Sequence, residues 1–289
     1  MKRSDSTTLK QGITSNAGDT VIENRWQALR KYTDARIGMG RVGVSQPTSD
    51  QLQFQLAHAC ARDAVNKAVD WIAIEPALGA LGVPVFSLKT RAPDRLTYLQ
   101  RPDLGRQLHQ GSADFLTRWR HQHDNPVDVC MVIADGLSAT AIEQQAVPMV
   151  IRLVDDLRSS SHRCSAICLL RQGRVAAGDE IAQIMKAEFV VMLIGERPGL
   201  SASDSLGIYF TYRAHVGCSD AQRNCISNIR PKGLSFEDAS QRLVWLIDEA
   251  ERLQLSGVQL KDDSYLDDAL SNCSTNQGNF LVDKRNDRT

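Results

Sequence analysis

The amino-acid sequence predicts an α/β protein, with a Rossmann-like, doubly wound and mostly parallel sheet that follows an N-terminal helical region. Three apolar, β-rich runs stand at 127–134, 165–170 and 188–194, and segments of helical character separate them. Apolar runs of this length, bounded by Gly and Pro, are typical of buried strands. Strands that alternate with helices favour a parallel sheet with helices on its faces. A fourth run at 207–213 extends the pattern.

These patterns divide the chain into four parts. The two ends are polar and hold few apolar residues, so they cannot bury enough surface to fold. We expect a flexible tail at 1–21, a helical and irregular region at 22–110, a Rossmann-like domain at 111–260 and a second flexible tail at 261–289.

The N-terminal region is predicted to hold two helices joined by a glycine-rich loop. The first covers 23–31, and the second runs from about residue 48, where Thr and Ser can cap it, to about residue 69. Three glycines within 38–43 predict a loop in which the backbone closely approaches a neighbouring group. Residues 71–125 are interpreted as loops and short helices.

The domain that follows carries the best-specified helix of the chain at 236–254. Its apolar residues recur at helical spacing, Ser235 can cap its first turn, and Gly257 fits the position after its last turn. Two further helices are expected between the strands, one from residue 139 and one over 178–186.

Charged and glycine-containing loops follow three of the predicted strands, at 135–138, 171–175 and 195–199. In an open α/β sheet, ligands bind in the crevice outside the carboxyl ends of the strands. The three loops therefore form a candidate ligand site. The alternative is structural: Gly and Pro turn the chain, and the acidic residues stabilise helix N-termini. The segment RNCISNIRP at 223–231 is polar, and we interpret it as a loop that binds a ligand through its backbone.

Composition excludes several function classes. The chain has 34 basic and 34 acidic residues, whereas a nucleic-acid-binding protein shows a basic excess or a basic face. No apolar run approaches the length that spans a bilayer, and the N-terminus lacks the apolar core of a secretory signal. We therefore expect a cytoplasmic protein with reduced cysteines.

Known cofactor and metal motifs are absent or out of context. The glycines at 38, 40 and 43 match the letters of a dinucleotide fingerprint, but a predicted helix precedes them where the fingerprint requires a strand. Cys164 and Cys168 form the only close cysteine pair, and we interpret them as structural thiols rather than metal ligands. No catalytic constellation is recognisable from spacing.

Seven segments, in order over about 22–260, together carry a family resemblance. They are WQALRKYTDARIGMGRVG (26–43), LQFQLAHACARDAV (52–65), YLQRPDLGRQL (98–108), VCMVIADGLSATA (129–141), RQGRVAAGDEI (171–181), LIGERPGLSASDSLG (193–207) and RNCISNIRPKGLS (223–235). Through them the chain resembles the ethanolamine ammonia-lyase small (light) subunit family, whose enzymes depend on adenosylcobalamin.

The resemblance implies a function shared between two kinds of subunit. The enzyme converts ethanolamine to acetaldehyde and ammonia by a radical migration of the amino group. A separate large subunit holds the substrate, and the small subunit closes part of the cobalamin pocket within a hetero-oligomer. The resemblance further implies that the small subunit is not active alone, that its 22–110 region contacts the large subunit, and that the enzyme can reside in a bacterial microcompartment.

By resemblance, the cofactor contacts of this chain fall on Val175, Glu196 and Cys225. Val175 offers an apolar contact, and Glu196 accepts hydrogen bonds from amide or hydroxyl groups. Cys225 is expected to pack against the cofactor rather than to ligate cobalt. Arg174 and Arg197 are candidate partners for a phosphate or for Glu196. The loop residues Asp135 and Gly136 complete the predicted cofactor-binding set.

The histidines bear on how cobalamin would bind. One common cobalamin module, by its family pattern, replaces the lower base with a histidine from D-x-H-x-x-G. None of the six histidines of this chain has Asp two residues before it. We therefore expect the base-on form of the cofactor. Two alternatives stay open at this point, a scaffold partner of the large subunit without cofactor and a nucleotide-binding α/β enzyme.

Overall fold

The computed structural model describes residues 21–264. The expected flexible tails at 1–21 and 261–289 therefore lie almost wholly outside the described residues. Contacts within the chain separate two compact units, Met1–Cys60 and Ala61–Thr289. The predicted functional boundary between residues 110 and 111 stays a prediction.

The first predicted helical segment and the start of the second lie in the first unit. A 3₁₀ helix covers Arg25–Tyr32, and the side chain of Asn24 caps it by accepting the N–H of Trp26 at 3.0 Å. Helix α1 begins at Thr48 and ends at Asn66, a little before the predicted end. In the loop between them Gly38 has φ +59°, and a Cβ there would lie 2.7 Å from the backbone of Trp26. The prediction of a close backbone approach in this loop is confirmed.

The second unit is built on a sheet of six strands. In chain order the strands are β1 (Val85–Lys89), β2 (Val127–Ala134), β3 (Cys164–Arg171), β4 (Ala187–Gly195), β5 (Leu206–Tyr212) and β6 (Asn224–Ile229). Their order across the sheet is β1-β3-β2-β4-β5-β6. Strands β1 to β4 are mutually parallel, whereas β5 pairs antiparallel with both β4 and β6.

The sheet is therefore mixed, and the expectation of a mostly parallel sheet needs correction at β5 and β6. The link 196–205 between β4 and β5 contains no helix. A parallel connection needs a crossover of a dozen or more residues, usually helical, so this short link leaves only the antiparallel pairing.

Helices cover both faces of the sheet. The helices of the second unit that follow α1 are α2 (Trp71–Gly79), α3 (Arg95–Gln100), α4 (Gln110–Gln122), α5 (Ala139–Ala141), α6 (Val147–Ser159), α7 (Ala177–Met185) and α8 (Phe236–Leu253), with a π-helical turn at Ile142–Ala146 that joins α5 to α6. Helices α2, α6 and α8 pack on one face with the side chains of Val129, Met131 and Ile133. Helices α4 and α7 pack on the other with Cys130 and Val132. Alternate residues of β2 thus enter two separate cores.

Two strands were missed at sequence level. Strand β1 lies within the stretch interpreted as loops and short helices, and β6 lies within 223–231, which was interpreted as a loop. Both form the edges of the sheet. One cap was also misassigned: α8 starts after the predicted Ser235 cap, but its left-handed C-terminal residue is Gln254, at φ +56°, rather than Gly257. Among the described residues no helix is long and apolar enough to cross a membrane.

Candidate functional site

The candidate site lies where the connections of the sheet diverge. Strand β2 has β3 on one side and β4 on the other, so the chain leaves β2 in one direction and later returns to its opposite side. Such a point opens a crevice at the carboxyl ends of the strands. A cavity of about 430 Å³ occupies this position, and it is lined by Gly136, Leu137, Arg174, Val175, Ile194, Gly195, Glu196, Arg197 and Tyr209.

The structure brings most of the predicted residues together. Loops from the ends of β2, β3 and β4 supply Gly136, then Arg174 and Val175, then Glu196 and Arg197. Their convergence at one edge agrees with the sequence prediction, and their role in cofactor binding stays a prediction. Asp135 and Cys225 are not part of this lining.

The loops after β2 and β4 are in backbone contact at Gly136 and Gly195. Gly136 has φ +53°, and a Cβ on it would lie 2.4 Å from the carbonyl oxygen of Gly195. A Cβ on Gly195 would in turn lie 2.2 Å from the carbonyl oxygen of Ser138. The N–H of Leu137 donates to the Gly195 carbonyl at 2.8 Å. Only glycine fits at both positions, and the floor of the cavity is fixed by this contact.

Asp135 holds the loop after β3 in place. It is almost fully buried, and its carboxylate accepts the N–H groups of Gln172 and Gly173, each at 3.0 Å. Burial raises the pKa of Asp135, and the guanidinium of Arg95, 3.7 Å away, opposes that shift. These hydrogen bonds make Asp135 a positioning residue for the loop that carries Arg174 and Val175. Its predicted role in cofactor binding stays a prediction.

Arg174 is held over an aromatic ring at the side of the cavity. Its guanidinium carbon lies 4.4 Å from the ring centre of Tyr98, and its backbone N–H donates to the carbonyl of Gly105 at 2.8 Å. Tyr98 is fully buried and donates its hydroxyl to the carbonyl of Gly173 at 2.9 Å. The Nε of Arg174 is buried and has no hydrogen-bond partner within the described part of the chain. A buried donor of this kind is costly unless a ligand accepts from it.

Glu196 is oriented by the start of β5 and the end of β6. Its Oε2 accepts from the hydroxyl of Ser205 and, at 3.3 Å, from the N–H of Asn228. Neither Arg174 nor Arg197 pairs with it among residues 21–264, so the expected arginine partner is replaced by a hydroxyl and a backbone amide. Its Oε1 receives no hydrogen bond from the described residues.

Tyr209 lines the cavity, and Cys225 lies beside it on the neighbouring strand, outside the lining. The two residues are register partners on β5 and β6. Desolvation raises the pKa of Tyr209 to about 12 and also raises the pKa of the Cys225 thiol, whose hydrogen bond with Tyr209 acts in the opposite direction. A neutral thiol suits a packing contact. The sequence does not predict Tyr209 as a site residue, because it lies within a strand rather than in a loop. Its hydroxyl group within an apolar run is the one feature that sets it apart.

Comparison of the sequence with known proteins identifies a family. A model of the ethanolamine ammonia-lyase light chain family matches residues 23–261. The chain belongs to this family. The match covers the whole sheet and every residue of the candidate site.

Curated relatives are called "Ethanolamine ammonia-lyase small subunit". The protein of Pseudomonas syringae pv. tomato is 49% identical over 265 residues, which cover 90% of this chain and 92% of the relative. The protein of Ralstonia nicotianae is 51% identical over 243 residues, with 84% and 90% covered. That of Azotobacter vinelandii is 47% identical over 262 residues, with 91% and 97% covered.

In this member of the ethanolamine ammonia-lyase light chain family, a buried ion pair lies near the cavity and joins α7 to the start of β6. Arg223, just before β6, donates two hydrogen bonds to Asp179 in the first turn of α7, at 2.5 and 2.7 Å. Both side chains are at most 3% exposed. Burial raises the pKa of Asp179, and the guanidinium counteracts this. The pair fixes the helix that follows Val175 relative to the strand that carries Cys225.

Proposed function

We propose that the chain is the small subunit of an adenosylcobalamin-dependent ethanolamine ammonia-lyase and forms one wall of its cobalamin pocket. In this proposal a large subunit holds ethanolamine, and the two subunits act as a hetero-oligomer. The observation that carries the proposal is the cavity at the ends of β2, β3 and β4, whose lining residues Arg174 and Glu196 hold a hydrogen-bond donor and an acceptor left without partners by the described residues.

These two groups fit the rim of a corrin. The corrin edge carries amide side chains, and each amide offers both N–H donors and a carbonyl acceptor. The Arg174 Nε is a donor without an acceptor, and the Glu196 Oε1 is an acceptor without a donor. An amide side chain can satisfy either one, so the pattern of unmet groups suits this ligand class.

The remaining lining suits a flat macrocycle that must be kept from water. Leu137, Val175 and Ile194 give the cavity an apolar surface, and Tyr209 adds an aromatic one. Bound adenosylcobalamin supplies the radical chemistry, and this chain contributes position and exclusion of water. No histidine lines this cavity, and the six histidines all lie within the described residues, which supports the base-on form.

The first unit offers a surface suited to the large subunit. Within 21–60, several large apolar side chains are exposed, among them Trp26 at 67%, Tyr32 at 75% and Leu56 at 65%. A contiguous exposed apolar patch marks a protein interaction site, and these side chains are candidates to form one. This supports the expectation that the N-terminal region contacts the partner.

Changing Glu196 to Gln tests the cofactor site directly. The variant keeps the size of the side chain but replaces one of the two acceptor oxygens by a donor, so we expect cobalamin to bind about tenfold more weakly, as for loss of a hydrogen bond to a charged group. The measurement is titration of the assembled large and small subunits with adenosylcobalamin, followed by the visible spectrum of the cofactor.

A matched control lies at the other end of the same strand. Glu188 pairs with Arg213 on the surface, so Glu188→Gln should leave the affinity unchanged. Equal affinity of the Glu196→Gln variant and the parent would count against Glu196 as a contact. Assembly of the parent pair without any cobalamin binding would favour the scaffold alternative.

The isolated chain is expected to show no lyase activity. The described residues around the cavity provide orientation but no acid–base pair for turnover of ethanolamine. Coupled detection of acetaldehyde, with the small subunit alone, the large subunit alone and the mixture, checks this. Acetaldehyde formation by the small subunit alone would refute the division of labour.

A further inference from the structure

A second cavity of about 430 Å³ opens at the carboxyl ends of β1 and β3, beside but distinct from the one described above. Its lining is partly basic and partly apolar: Ala68, Val69, Trp71, Lys89, Thr90, Arg91, Ala92, Pro93, His109, Asp135, Arg171 and Gln172. Neither the proposed function nor the family name assigns a role to it.

Two cations stand side by side at this cavity. Lys89 and Arg171 are the last residues of β1 and β3 and are register partners in the parallel ladder. Adjacent strands lie about 4.8 Å apart, and paired residues project to the same face. Like charges placed directly side by side destabilise a sheet. Both residues are exposed, so solvent screens part of this repulsion, and a bound anion would relieve the rest.

No carboxylate of the chain is available for that neutralisation. Between residues 21 and 264, the side chains of Lys89, Arg91 and Arg171 form no ion pair or hydrogen bond. Asp135 also lines the cavity, but it accepts from two backbone amides and lies beside Arg95. The site thus holds three unpaired cations and an acid whose oxygens are already engaged.

His109 adds a directed donor. It caps helix α4, and its Nδ1 accepts the N–H of Gly111 at 3.1 Å. In the neutral ring the proton is then on Nε2, which is free to donate. The N-terminal end of a helix also carries partial positive charge, which favours an anion nearby.

We infer that this second cavity binds the phosphate group of a small organic phosphate. Lys89, Arg91 and Arg171 contact the phosphate oxygens, since Arg and Lys are the usual binders of that group. Val69, Trp71 and Pro93 give the organic part an apolar wall. A volume of this size is in the range of small-molecule sites. The phosphate belongs either to a free phosphate ester or to the phosphodiester of cobalamin itself.

The test is calorimetric titration of the full chain with inorganic phosphate and with phenyl phosphate. Arg171→Gln should weaken both by about tenfold, since one charge-assisted contact is lost. The control is Arg163→Gln, which removes an exposed arginine just before the start of the same strand and should change neither affinity. Absence of binding by the parent, or an equal loss in the two variants, would overturn the inference.

Thermal unfolding separates a ligand site from a structural role. Without phosphate, Arg171→Gln should unfold at the same or a higher temperature than the parent, because a like-charge pair is relieved. With phosphate, the parent should gain stability and the variant should gain less. A variant that unfolds at a lower temperature in phosphate-free buffer and still binds phosphate as the parent does would show a structural role.

Two corrinoids distinguish the phosphate of cobalamin from that of a separate ester. This experiment, unlike the two above, rests on the proposed function. Cobinamide lacks the nucleotide phosphodiester that cyanocobalamin carries. If Arg171→Gln weakens cyanocobalamin but not cobinamide in the assembled enzyme, the phosphate is that of the cofactor. If phenyl phosphate still binds to the cobalamin-saturated enzyme, the ligand is a separate phosphate ester.

Discussion

Gly136→Ala is expected to lower the free energy of unfolding by roughly 2–5 kcal/mol, the sum of the strain of a positive φ and of overpacking. The added Cβ would lie 2.4 Å from both the Gly195 carbonyl oxygen and the Ile194 side chain. Since backbone cannot yield as a flexible side chain does, the loops after β2 and β4 must separate. Chemical denaturation measures the loss, and cobalamin binding should fall with it.

Gly82→Ala isolates the conformational part of that loss. Gly82 also has a positive φ, of +72°, but nothing lies within 4 Å of the position of its Cβ. We expect this variant to lose only about 1–2 kcal/mol. Equal losses in the two variants would mean that the close contact between the loops contributes nothing.

Asp179→Ala is expected to destabilise the protein by about 3–5 kcal/mol, because it leaves the guanidinium of Arg223 buried without its partner. The side chain of Arg223 is 3% exposed. Asp220, whose carboxylate lies 3.4 Å from Arg223, is almost fully exposed and cannot replace Asp179 as a buried partner. Denaturant unfolding gives the size of the effect. The same variant should weaken cobalamin binding, since α7 and β6 lose their connection.

The double variant Asp179→Leu with Arg223→Met tests whether the unpaired buried charge causes the loss of stability. Replacement of a buried ion pair by apolar side chains is often neutral, so we expect most of the lost stability to return. A surface comparison is Glu249→Ala, which removes an ion pair with the exposed Arg252 and should cost less than about 1 kcal/mol. If the double variant is no more stable than Asp179→Ala, the buried charge is not the cause.

The centre of the sheet was predictable because its strands are apolar on both faces. Residues 127–134 form a continuous apolar run with one acid, and the strand has the predicted bounds. The edge strands carry no such signal. In β6 the sequence NCISNI buries only Ile226 and Ile229, which do not alternate, and its polar residues are typical of a loop. The direction of β5 was open to inference, since the link 196–205 is too short for a crossover.

The position of the candidate site could be predicted from the sequence, but the contacts between its side chains could not. The loops after β2, β3 and β4 meet because parallel strands end at one edge, and this follows from the order of the elements. Which partner each side chain takes does not follow. Glu196 is held by Ser205 and Asn228 rather than by an arginine, and the Asp179–Arg223 pair joins residues far apart in the chain. Such pairings depend on register and tertiary packing.

The position of β1 at the edge of the sheet has a consequence for how the protein is made. Its sole neighbour among the described strands is β3, and Val85 pairs with Ile167. During synthesis, β1 therefore leaves the ribosome long before its partner exists, and its backbone groups stay unpaired meanwhile. Pairings between distant residues form slowly, and an unpaired strand is a template for association with other chains. The second cavity, which β1 and β3 border, therefore cannot be complete before the residues of β3 have been synthesised.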